Sequence, residues 1–343
     1  MNREVLNDDI LYFVNDFPYW KLLYGKTVLI TGCTGLLGSI MTKCLLALNK
    51  HYDLGIKILG VVRNISKAES ILGRDDECLS LNELELSEIS SERIKDNVDY
   101  VIHLASPTAS KYFIDHPVET LQTAIEGTNA VLNFSAEKKI EKMLYISSLE
   151  VYGRNEGEQW ISEDFQGFVN PLEVRSSYNM GKRAAESLCS AYFSEYNVPV
   201  SIVRLTQTFG AGVEYNDNRV FAQFARKIIE NEDIELHTLG ETSRMYCYTI
   251  DAITAMLLVL LKGQSGEAYN VANKSTYISI KDMAYMLRDY FNPNINVIIS
   301  LKDNQGYAPQ TRLRLNTDKI ENLGWSPKYS LPVMFGRLIR YMS

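Results

Sequence analysis

Short apolar runs alternate with longer segments of helical spacing along the first half of the chain. Runs of strand length lie at residues 26–31, 56–62, 98–105 and 142–146. A largely apolar helical segment, Ile40–Leu48, follows the first run, and a second, roughly Val118–Glu137, lies between the third and the fourth. Strands that alternate with helices predict an α/β fold with a parallel sheet.

Two further segments predict helices outside this alternation. Residues Met1–Trp20 mix charged and apolar positions and lack the uninterrupted apolar core of a signal peptide, so we expect an extra helix packed on the domain. The longest apolar stretch, Ala252–Leu261, is too short to span a bilayer. Asp251 before it is predicted to cap the N-terminus of a buried helix.

Composition limits the classes of partner. The 343 residues, 46% of them hydrophobic, suffice for one large or two modest domains, and no linker is evident, so any second domain is woven into the first. The net charge is −7 without a basic cluster, which does not suggest a nucleic acid or an anionic membrane as partner. Five scattered cysteines without CxxC spacing argue against disulfides or a metal site and favour the reducing cytoplasm.

A glycine-rich turn joins the first predicted strand to its helix. In the sequence TGCTGLLG, Gly32 allows the tight turn, Gly35 lets the backbone approach a pyrophosphate, and Gly38 lets the helix pack against the strand. The helix N-terminus then faces the phosphates. The strand before and the helix after this turn predict a Rossmann-type, doubly wound dinucleotide-binding sheet.

The end of the second strand bears on the choice of dinucleotide. Arg63 and Asn64 stand where a protein that binds NAD usually has Asp or Glu for the adenosine ribose. Arg63 is open to two interpretations: it contacts a 2′-phosphate, which favours NADP, or it is a solvated side chain that stacks on adenine. Asn64 can hydrogen-bond the ribose of either cofactor.

A candidate acid/base group lies further along the chain. Tyr178 and Lys182 are four residues apart, on one face of a predicted helix, and an ammonium beside a phenol stabilises the phenolate. Ser148, at the end of the fourth strand, is placed to hold a substrate oxygen. Such a trio suits oxidation of an alcohol by hydride transfer to a nicotinamide. His103 has no second ligand at metal spacing and is interpreted as structural.

Six motifs in order give the chain a wider resemblance. TGCTGLLG, HLASP, SSLEVYG, YNMGK, RLTQTFG and LGWSPKYSL resemble the extended short-chain dehydrogenase/reductase family of nucleotide-sugar epimerases, dehydratases and decarboxylases, from about Lys26 to the C-terminus. The resemblance implies an NAD(P)-binding Rossmann domain (26–210, with about 246–272 returning to it) and a smaller C-terminal substrate-binding lobe (211–343), which leaves residues 1–25 as the N-terminal helical extension.

Site residues follow from the matching motifs. By resemblance, Ser148 orients the sugar hydroxyl, Tyr178 is the acid/base at the 4-position, and Lys182 lowers the pKa of Tyr178 and holds the nicotinamide ribose. The expected cofactor contacts are Gly32, Thr34, Gly35, Leu36, Leu37, Gly38, Arg63, Asn64, Leu104, Ala105, Tyr178 and Lys182. The expected substrate contacts are Lys111, Arg175, Gln207, Arg219 and Arg244.

Residues beside Ser148 sort the reactions of this family. The 4,6-dehydratases usually have Asp-Glu there, whereas this chain has Leu149 and Glu150, and a lone glutamate resembles the UDP-glucuronate decarboxylases. The loop SPTASK (106–111) resembles theirs too. Arg175 and Arg244 match arginines of those enzymes, and a guanidinium suits a carboxylate or a diphosphate.

Three departures leave the substrate open. Ala124 and Gln207 replace asparagines that are usual in relatives, and Leu149 replaces a serine. The leading expectation is a decarboxylase-like enzyme that forms a 4-keto sugar with a recycled, tightly bound NAD(P). The alternatives are a 4-epimerase, a 4,6-dehydratase, a reductase that consumes NADPH, and a non-catalytic dinucleotide sensor. A homodimer through the helices near 121–138 and 182–196 is expected by resemblance.

Overall fold

The computed structural model describes residues 1–74, 76–108, 110–155, 157, 159–301 and 311–343. Its helices are α1 Arg3–Asp16, α2 Leu36–Tyr52, α3 Ile65–Leu72, α4 Ser110–Asp115, α5 Pro117–Gln122, α6 Thr128–Lys138, α7 Ser176–Tyr196, α8 Val220–Glu230, α9 Thr249–Lys262, α10 Ile280–Phe291, α11 Asp318–Glu321 and α12 Leu331–Met342. Its strands are β1 Thr27–Thr31, β2 Lys57–Val62, β3 Leu79–Glu83, β4 Tyr100–His103, β5 Lys142–Ser148, β6 Trp160–Ile161, β7 Val200–Leu205, β8 Gln207–Phe209, β9 Ile234–Leu236, β10 Ser243–Tyr248, β11 Ala268–Val271, β12 Asn273–Ser279, β13 Val297–Ile299 and β14 Arg312–Leu315. Short 3-10 turns lie at Trp20–Leu23, Leu86–Glu88 and Leu149–Tyr152.

A seven-stranded parallel sheet forms the centre of the molecule. Its order is β11-β7-β5-β4-β1-β2-β3, so the chain builds outward from β1 to one edge and then returns to build the other half. The strand order reverses between β1 and β4, which is where dinucleotides bind in such sheets. The predicted α/β class with a doubly wound parallel sheet is confirmed.

Successive residues of the central strands face two separate hydrophobic cores. Ile30 and Leu144 belong to one core, while their neighbours Leu29 and Met143 belong to the other. The strands are therefore almost continuously apolar, because helices cover both faces of the sheet. α2 and α9 pack on one face, and α6 and α7 pack on the other.

The predicted helix Val118–Glu137 contains an irregular turn. The chain passes from α5 into a π-helical turn, Thr123–Gly127, and then into α6. This turn packs against α7, where a Cβ atom added at Gly181 would lie 3.0 Å from the Cβ of Ala124. Two small residues thus let the two helices approach closely beside the start of α7.

A second sheet lies apart from the central one. Its order is β12-β10-β14-β6, with β8 beside β10, and a two-stranded sheet pairs β13 with β9. The returning segment supplies α9 and β11, which joins the edge of the central sheet. None of the helices among the described residues combines the length and apolarity that a membrane span requires.

The predicted cap at Asp251 is wrong. α9 begins at Thr249 directly after β10, so Asp251 lies inside the first helical turn and is 3% exposed. Its carboxylate accepts hydrogen bonds from the backbone N–H groups of Lys328 (3.0 Å) and Tyr329 (3.3 Å). The carboxylate therefore accepts hydrogen bonds from the backbone of a distant loop instead of capping the helix. Local sequence cannot indicate such a tertiary contact.

Candidate active site

The glycine turn between β1 and α2 leaves room for a diphosphate. A Cβ atom at Gly32 would lie 2.8 Å from the backbone nitrogen of Ala105, and one at Gly38 would lie 2.1 Å from the oxygen of Gly32. Gly35 has no neighbour closer than 3.4 Å to an added Cβ, and no side chain caps the helix that begins at Leu36. The first N–H groups of α2 thus face an open approach, as a dinucleotide pyrophosphate requires.

The other expected cofactor residues surround this turn. Thr34 lies within it, Leu37 follows Leu36 in the first turn of α2, and the backbone of Leu104 and Ala105 packs over Gly32 at the end of β4. The Ala105 N–H donates to the Thr31 hydroxyl at 3.3 Å. These residues fit a dinucleotide at the carboxyl ends of β1 and β4.

An acidic side chain that the sequence reasoning missed lies near Arg63 and Asn64, which are expected at the adenosine ribose. Arg63 and Asn64 are exposed after β2, and the Asn64 side-chain oxygen accepts from the Lys67 N–H at 2.8 Å. Glu83, which ends the neighbouring strand β3, accepts from the Ile65 N–H at 3.3 Å. A carboxylate therefore stands beside the expected ribose site, on β3 instead of β2. The position of Glu83 follows from the pairing of β3 with β2, which the sequence alone does not show.

Ser148, Tyr178 and Lys182 come together where β5 ends against α7. The Lys182 ammonium donates to the backbone oxygen of Ile146 at 2.7 Å, and the Tyr178 ring stacks on Phe113 with the centroids 4.2 Å apart. The Tyr178 phenol forms a hydrogen bond with the Ser148 side chain. The structure therefore assembles the trio that the sequence predicted.

Burial shifts the pKa values of Tyr178 and Lys182 in opposite directions. Burial raises the pKa of Tyr178 to about 12, although the hydrogen bond with Ser148 lowers it, and the nearby Glu150 carboxylate raises it further. Burial also lowers the pKa of Lys182 to about 8. The Lys182 ammonium lies 5.9 Å from the centre of the Tyr178 ring and donates to Ile146, and a lowering of the Tyr178 pKa by Lys182 stays a prediction.

Glu150 lies in the 3-10 turn that follows β5. Its N–H donates to the Ser148 hydroxyl at 3.3 Å, and its carboxylate accepts from the Asn179 amide at 3.2 Å. Glu150, Arg175 and Arg244 line one cavity, together with Gly153, Arg154, Phe168, Val169, Asn170, Glu173, Ser176, Asn179, Thr311 and Leu313. Three sequence-predicted site residues from distant parts of the chain thus share one space.

Several buried polar atoms of the second sheet and its surroundings lack partners among the described residues. They are the Arg244 Nε, the Gln207 side-chain oxygen, and the hydroxyls of Tyr246 and Thr311. Arg244 is close enough to lower the pKa of Tyr246, although burial raises that pKa to about 12 overall. Unpaired buried polar atoms are few in proteins, and Arg244 and Thr311, which carry two of them, line the cavity of Glu150. Sequence reasoning missed Thr311, which is held beside β10 by a hydrogen bond from the Ser243 N–H.

Two expected substrate contacts lie elsewhere. The Lys111 side chain is 84% exposed and pairs with Asp115 at 2.5 Å. Arg219 pairs with Asp217 at 2.5 Å and lies over the ring of Phe221. Neither residue lines the cavity of Glu150. Ala109, in the loop before Lys111, lies outside the described residues.

His103 is structural, as predicted. It is buried and hydrogen-bonds the hydroxyls of Thr31 (2.7 Å) and Thr128 (3.2 Å). Burial, aided by the Lys182 charge, lowers its pKa to about 3, so the ring is neutral. Within the described part of the chain, no three His, Cys, Asp or Glu residues cluster as metal ligands would.

A larger cavity, of about 320 Å³, lies on another side of α7. Its buried charges, Arg204 and Glu186, pair with each other at 2.7 Å. The volume of a cavity therefore does not identify the candidate site. The cluster of acid/base groups identifies it.

Comparisons with known proteins match this geometry. Residues 28–272 match the model of the NAD dependent epimerase/dehydratase family. The chain is 28% identical to UDP-glucuronic acid decarboxylase 1 of Danio rerio, over 99% of this chain and 79% of the relative. It is 30% identical to UDP-glucuronic acid decarboxylase 5 of Arabidopsis thaliana, over 70% and 69%. The fold also matches UDP-glucuronic acid 4-epimerase from Bacillus cereus, solved with UDP-glucuronic acid and NAD, with a TM-score of 0.77 and 22% identity over 92% and 98% of the two chains.

Proposed function

The chain belongs to the NAD-dependent epimerase/dehydratase family, and from that premise we propose that it decarboxylates a nucleoside-diphosphate uronate, with UDP-glucuronate as the first candidate. The sugar 4-hydroxyl is oxidised to a ketone, the carboxylate leaves as carbon dioxide, and the ketone is reduced again. The NAD(P) stays bound and is recycled.

One observation carries this proposal. Glu150 adjoins the Ser148 and Tyr178 pair and shares its cavity with Arg175 and Arg244, whose Nε is buried without a partner among the described residues. A guanidinium forms strong charge-assisted hydrogen bonds with a carboxylate. The cavity therefore suits a sugar whose carboxylate is bonded to the carbon next to the oxidised one, which places the carboxylate β to the ketone.

The oxidation step uses Ser148 and Tyr178. Ser148 orients the sugar 4-hydroxyl, and Tyr178 takes its proton. A nicotinamide held there would supply the hydride acceptor and positive charge. Lys182 is placed to hold the nicotinamide ribose. Burial raises the pKa of Tyr178 to about 12, so positive charge beside the phenol favours its action as a base.

Decarboxylation follows from the 4-ketone. The bond between C5 and the carboxylate breaks, its electron pair forms an enolate with the ketone, and carbon dioxide leaves. C5 then takes one proton from water held by Glu150. Tyr178 finally returns its proton to the oxygen at C4 as the ketone is reduced. The net reaction consumes one proton and no reducing equivalent.

Mass spectrometry tests this proposal. The purified protein is incubated with UDP-glucuronate, UDP-glucose and their TDP, CDP and GDP counterparts. Loss of carbon dioxide from a uronate supports the proposal. An unchanged mass with an altered sugar configuration indicates a 4-epimerase, and loss of water indicates a dehydratase. Steady consumption of added NADPH indicates a reductase, and no reaction with retained dinucleotide indicates a sensor.

For the resident cofactor we propose NAD. The Glu83 carboxylate lies at the end of β3, beside Ile65 and the expected ribose site, where it would repel a 2′-phosphate and accept a hydrogen bond from a ribose hydroxyl. Mass spectrometry of the dinucleotide released on denaturation tests this choice. NADP in that fraction would instead support a phosphate contact by Arg63.

We also propose a homodimer through α5, α6 and α7. Val118, Ile125, Phe193 and Tyr196 are exposed apolar side chains on α5, the π-helical turn and α7. Exposed apolar patches mark protein interfaces. Light scattering during size-exclusion chromatography tests this proposal: a dimeric mass supports it, and a monomer at micromolar concentration contradicts it.

A further inference from the structure

The side chain of Asn179 holds both the backbone and the carboxylate of one residue, Glu150. Asn179 follows Tyr178 directly in the first turns of α7. Its Nδ2 donates to the backbone oxygen of Glu150 at 2.8 Å and to the carboxylate Oε2 at 3.2 Å. An amide nitrogen carries two hydrogens, so both are directed at the same glutamate.

The backbone of this turn is also held without Asn179. The Glu150 N–H donates to the Ser148 hydroxyl at 3.3 Å. Arg183, one helical turn after Asn179, donates to the backbone oxygens of Val151 (2.6 Å) and Gly167 (2.7 Å). Asn179 thus shares the backbone of this turn with Ser148 and Arg183, and it adds the contact with the Glu150 carboxylate.

That carboxylate lies between two parts of the site. It is close enough to raise the pKa of the Tyr178 phenol, and its residue lines the cavity with Arg244. A free glutamate side chain samples several rotamers, and burial of such a side chain loses that freedom. The hydrogen bond from the Asn179 amide restricts that freedom for the Glu150 carboxylate.

We propose that Asn179 is a positioning residue that fixes the Glu150 carboxylate for proton delivery to C5 after carbon dioxide has left. The inference rests on the proposed function, because the role of Glu150 does. Asn179 acts through Glu150 alone, so oxidation of the sugar by Tyr178 does not require it. Loss of Asn179 should therefore separate the two halves of the reaction.

The test follows both halves in Asn179→Ala with UDP-glucuronate. The initial burst of reduced nicotinamide absorbance reports oxidation, and formation of the pentose nucleotide reports the later steps. We expect a burst rate within about threefold of the wild type, at least tenfold slower pentose formation and accumulation of reduced cofactor. Adding Asn179→Ala to Glu150→Gln should cause little further loss, because the two residues act as a unit.

Arg183→Gln is the matched control, since it removes backbone contacts of the same turn and leaves the carboxylate contact. It should lower the melting temperature without accumulation of reduced cofactor. Parallel slowing of the burst and of pentose formation in Asn179→Ala would show a general structural role and overturn the inference. Wild-type rates in both assays would overturn it as well.

Crystal structures of the wild type and of Asn179→Ala supply a readout without substrate. We expect the Glu150 carboxylate to take a different rotamer in the variant. An unchanged carboxylate would overturn the inference even if the wild type left UDP-glucuronate intact. A wild type that left UDP-glucuronate intact would contradict the proposed function. Failure of the inference and failure of the proposed function are therefore distinguishable.

Discussion

At the scale of single residues, the surroundings of Tyr178 favour the neutral phenol in the protein alone. Burial raises its pKa to about 12, and the Glu150 carboxylate acts in the same direction. Lys182 directs its ammonium to the oxygen of Ile146, and burial lowers its pKa to about 8. Positive charge beside the phenol would therefore favour the phenolate.

Replacing Tyr178 by Phe removes the hydroxyl and keeps the ring that stacks on Phe113. We expect a loss of about 10³-fold in formation of the 4-keto sugar, within the range for a lost acid/base group. The affinity for the dinucleotide, measured by calorimetry, should change little. Tyr192→Phe, the same change further along α7, should retain activity. Retained turnover in Tyr178→Phe would contradict the assigned role.

Replacing Arg244 by Met tests recognition of the carboxylate. Because the buried Nε has no partner among the described residues, the variant should stay folded. It should bind UDP-glucuronate about 10- to 100-fold more weakly, equivalent to about 1.4–2.8 kcal/mol. Binding of UDP-glucose should fall less. Equal losses for both nucleotides in a calorimetric titration would show that Arg244 does not distinguish the carboxylate.

At the scale of elements, the site is built where β1, β4 and β5 end and where α2 and α7 begin. The β1 turn is shaped by Gly32 and Gly38, whose added Cβ atoms would meet backbone atoms closer than 3.0 Å. Gly35 has a different environment, because its nearest neighbour would be at 3.4 Å. The same motif thus contains residues needed for folding and a residue needed for ligand approach.

The pair Gly38→Ala and Gly35→Ala separates these roles. In Gly38→Ala the methyl group would lie 2.1 Å from the oxygen of Gly32, so we expect loss of the folded protein or severe destabilisation. In Gly35→Ala the fold should persist, while dinucleotide affinity falls at least tenfold because the methyl group occupies the pyrophosphate approach. Circular dichroism and calorimetry measure the two effects. Tight dinucleotide binding by Gly35→Ala would contradict the placement of the diphosphate.

The local sequence pattern predicted the helices and strands better than the tertiary contacts between them. The glycine spacing and the alternation of apolar runs predicted the β1 turn and the central sheet. The hydrogen bonds of Asp251 with Lys328 and Tyr329, and the approach of Ala124 to Gly181, depend on tertiary contacts between segments far apart in sequence. The high pKa of Tyr178 likewise follows from burial, which the spacing of Tyr178 and Lys182 does not reveal.

At the scale of the whole molecule, the two ends of the chain are joined through buried charge. Asp9 of α1 is fully buried, pairs with Arg337 of α12 at 2.6 Å and accepts a hydrogen bond from the Tyr248 hydroxyl at 2.5 Å. Burial raises the pKa of Asp9 to about 6 and that of Asp251 to about 7. The N-terminal helix is therefore an integral part of the core.

These two carboxyl groups predict a pH-dependent stability. Between about pH 4 and pH 7 the folded protein retains protons that the unfolded chain has released, so the free energy of unfolding should fall as the pH rises. Asp251 alone corresponds to roughly 4 kcal/mol over this range. Urea denaturation from pH 4.5 to pH 8 measures the slope. Asp251→Asn should flatten it, and the exposed control Asp16→Asn should not. A stability that rises through this window in the wild type would contradict the raised values.

The most direct prediction of the proposed reaction concerns the hydrogens at C4 and C5 of the sugar. When UDP-glucuronate is converted in deuterium oxide, the nuclear magnetic resonance spectrum of the product should show a pentose nucleotide with one deuterium at C5 and none at C4. Solvent supplies the proton after carbon dioxide leaves, whereas the hydrogen at C4 leaves and returns as hydride without exchange. Deuterium at C4, or a six-carbon product, would contradict decarboxylation with a recycled cofactor.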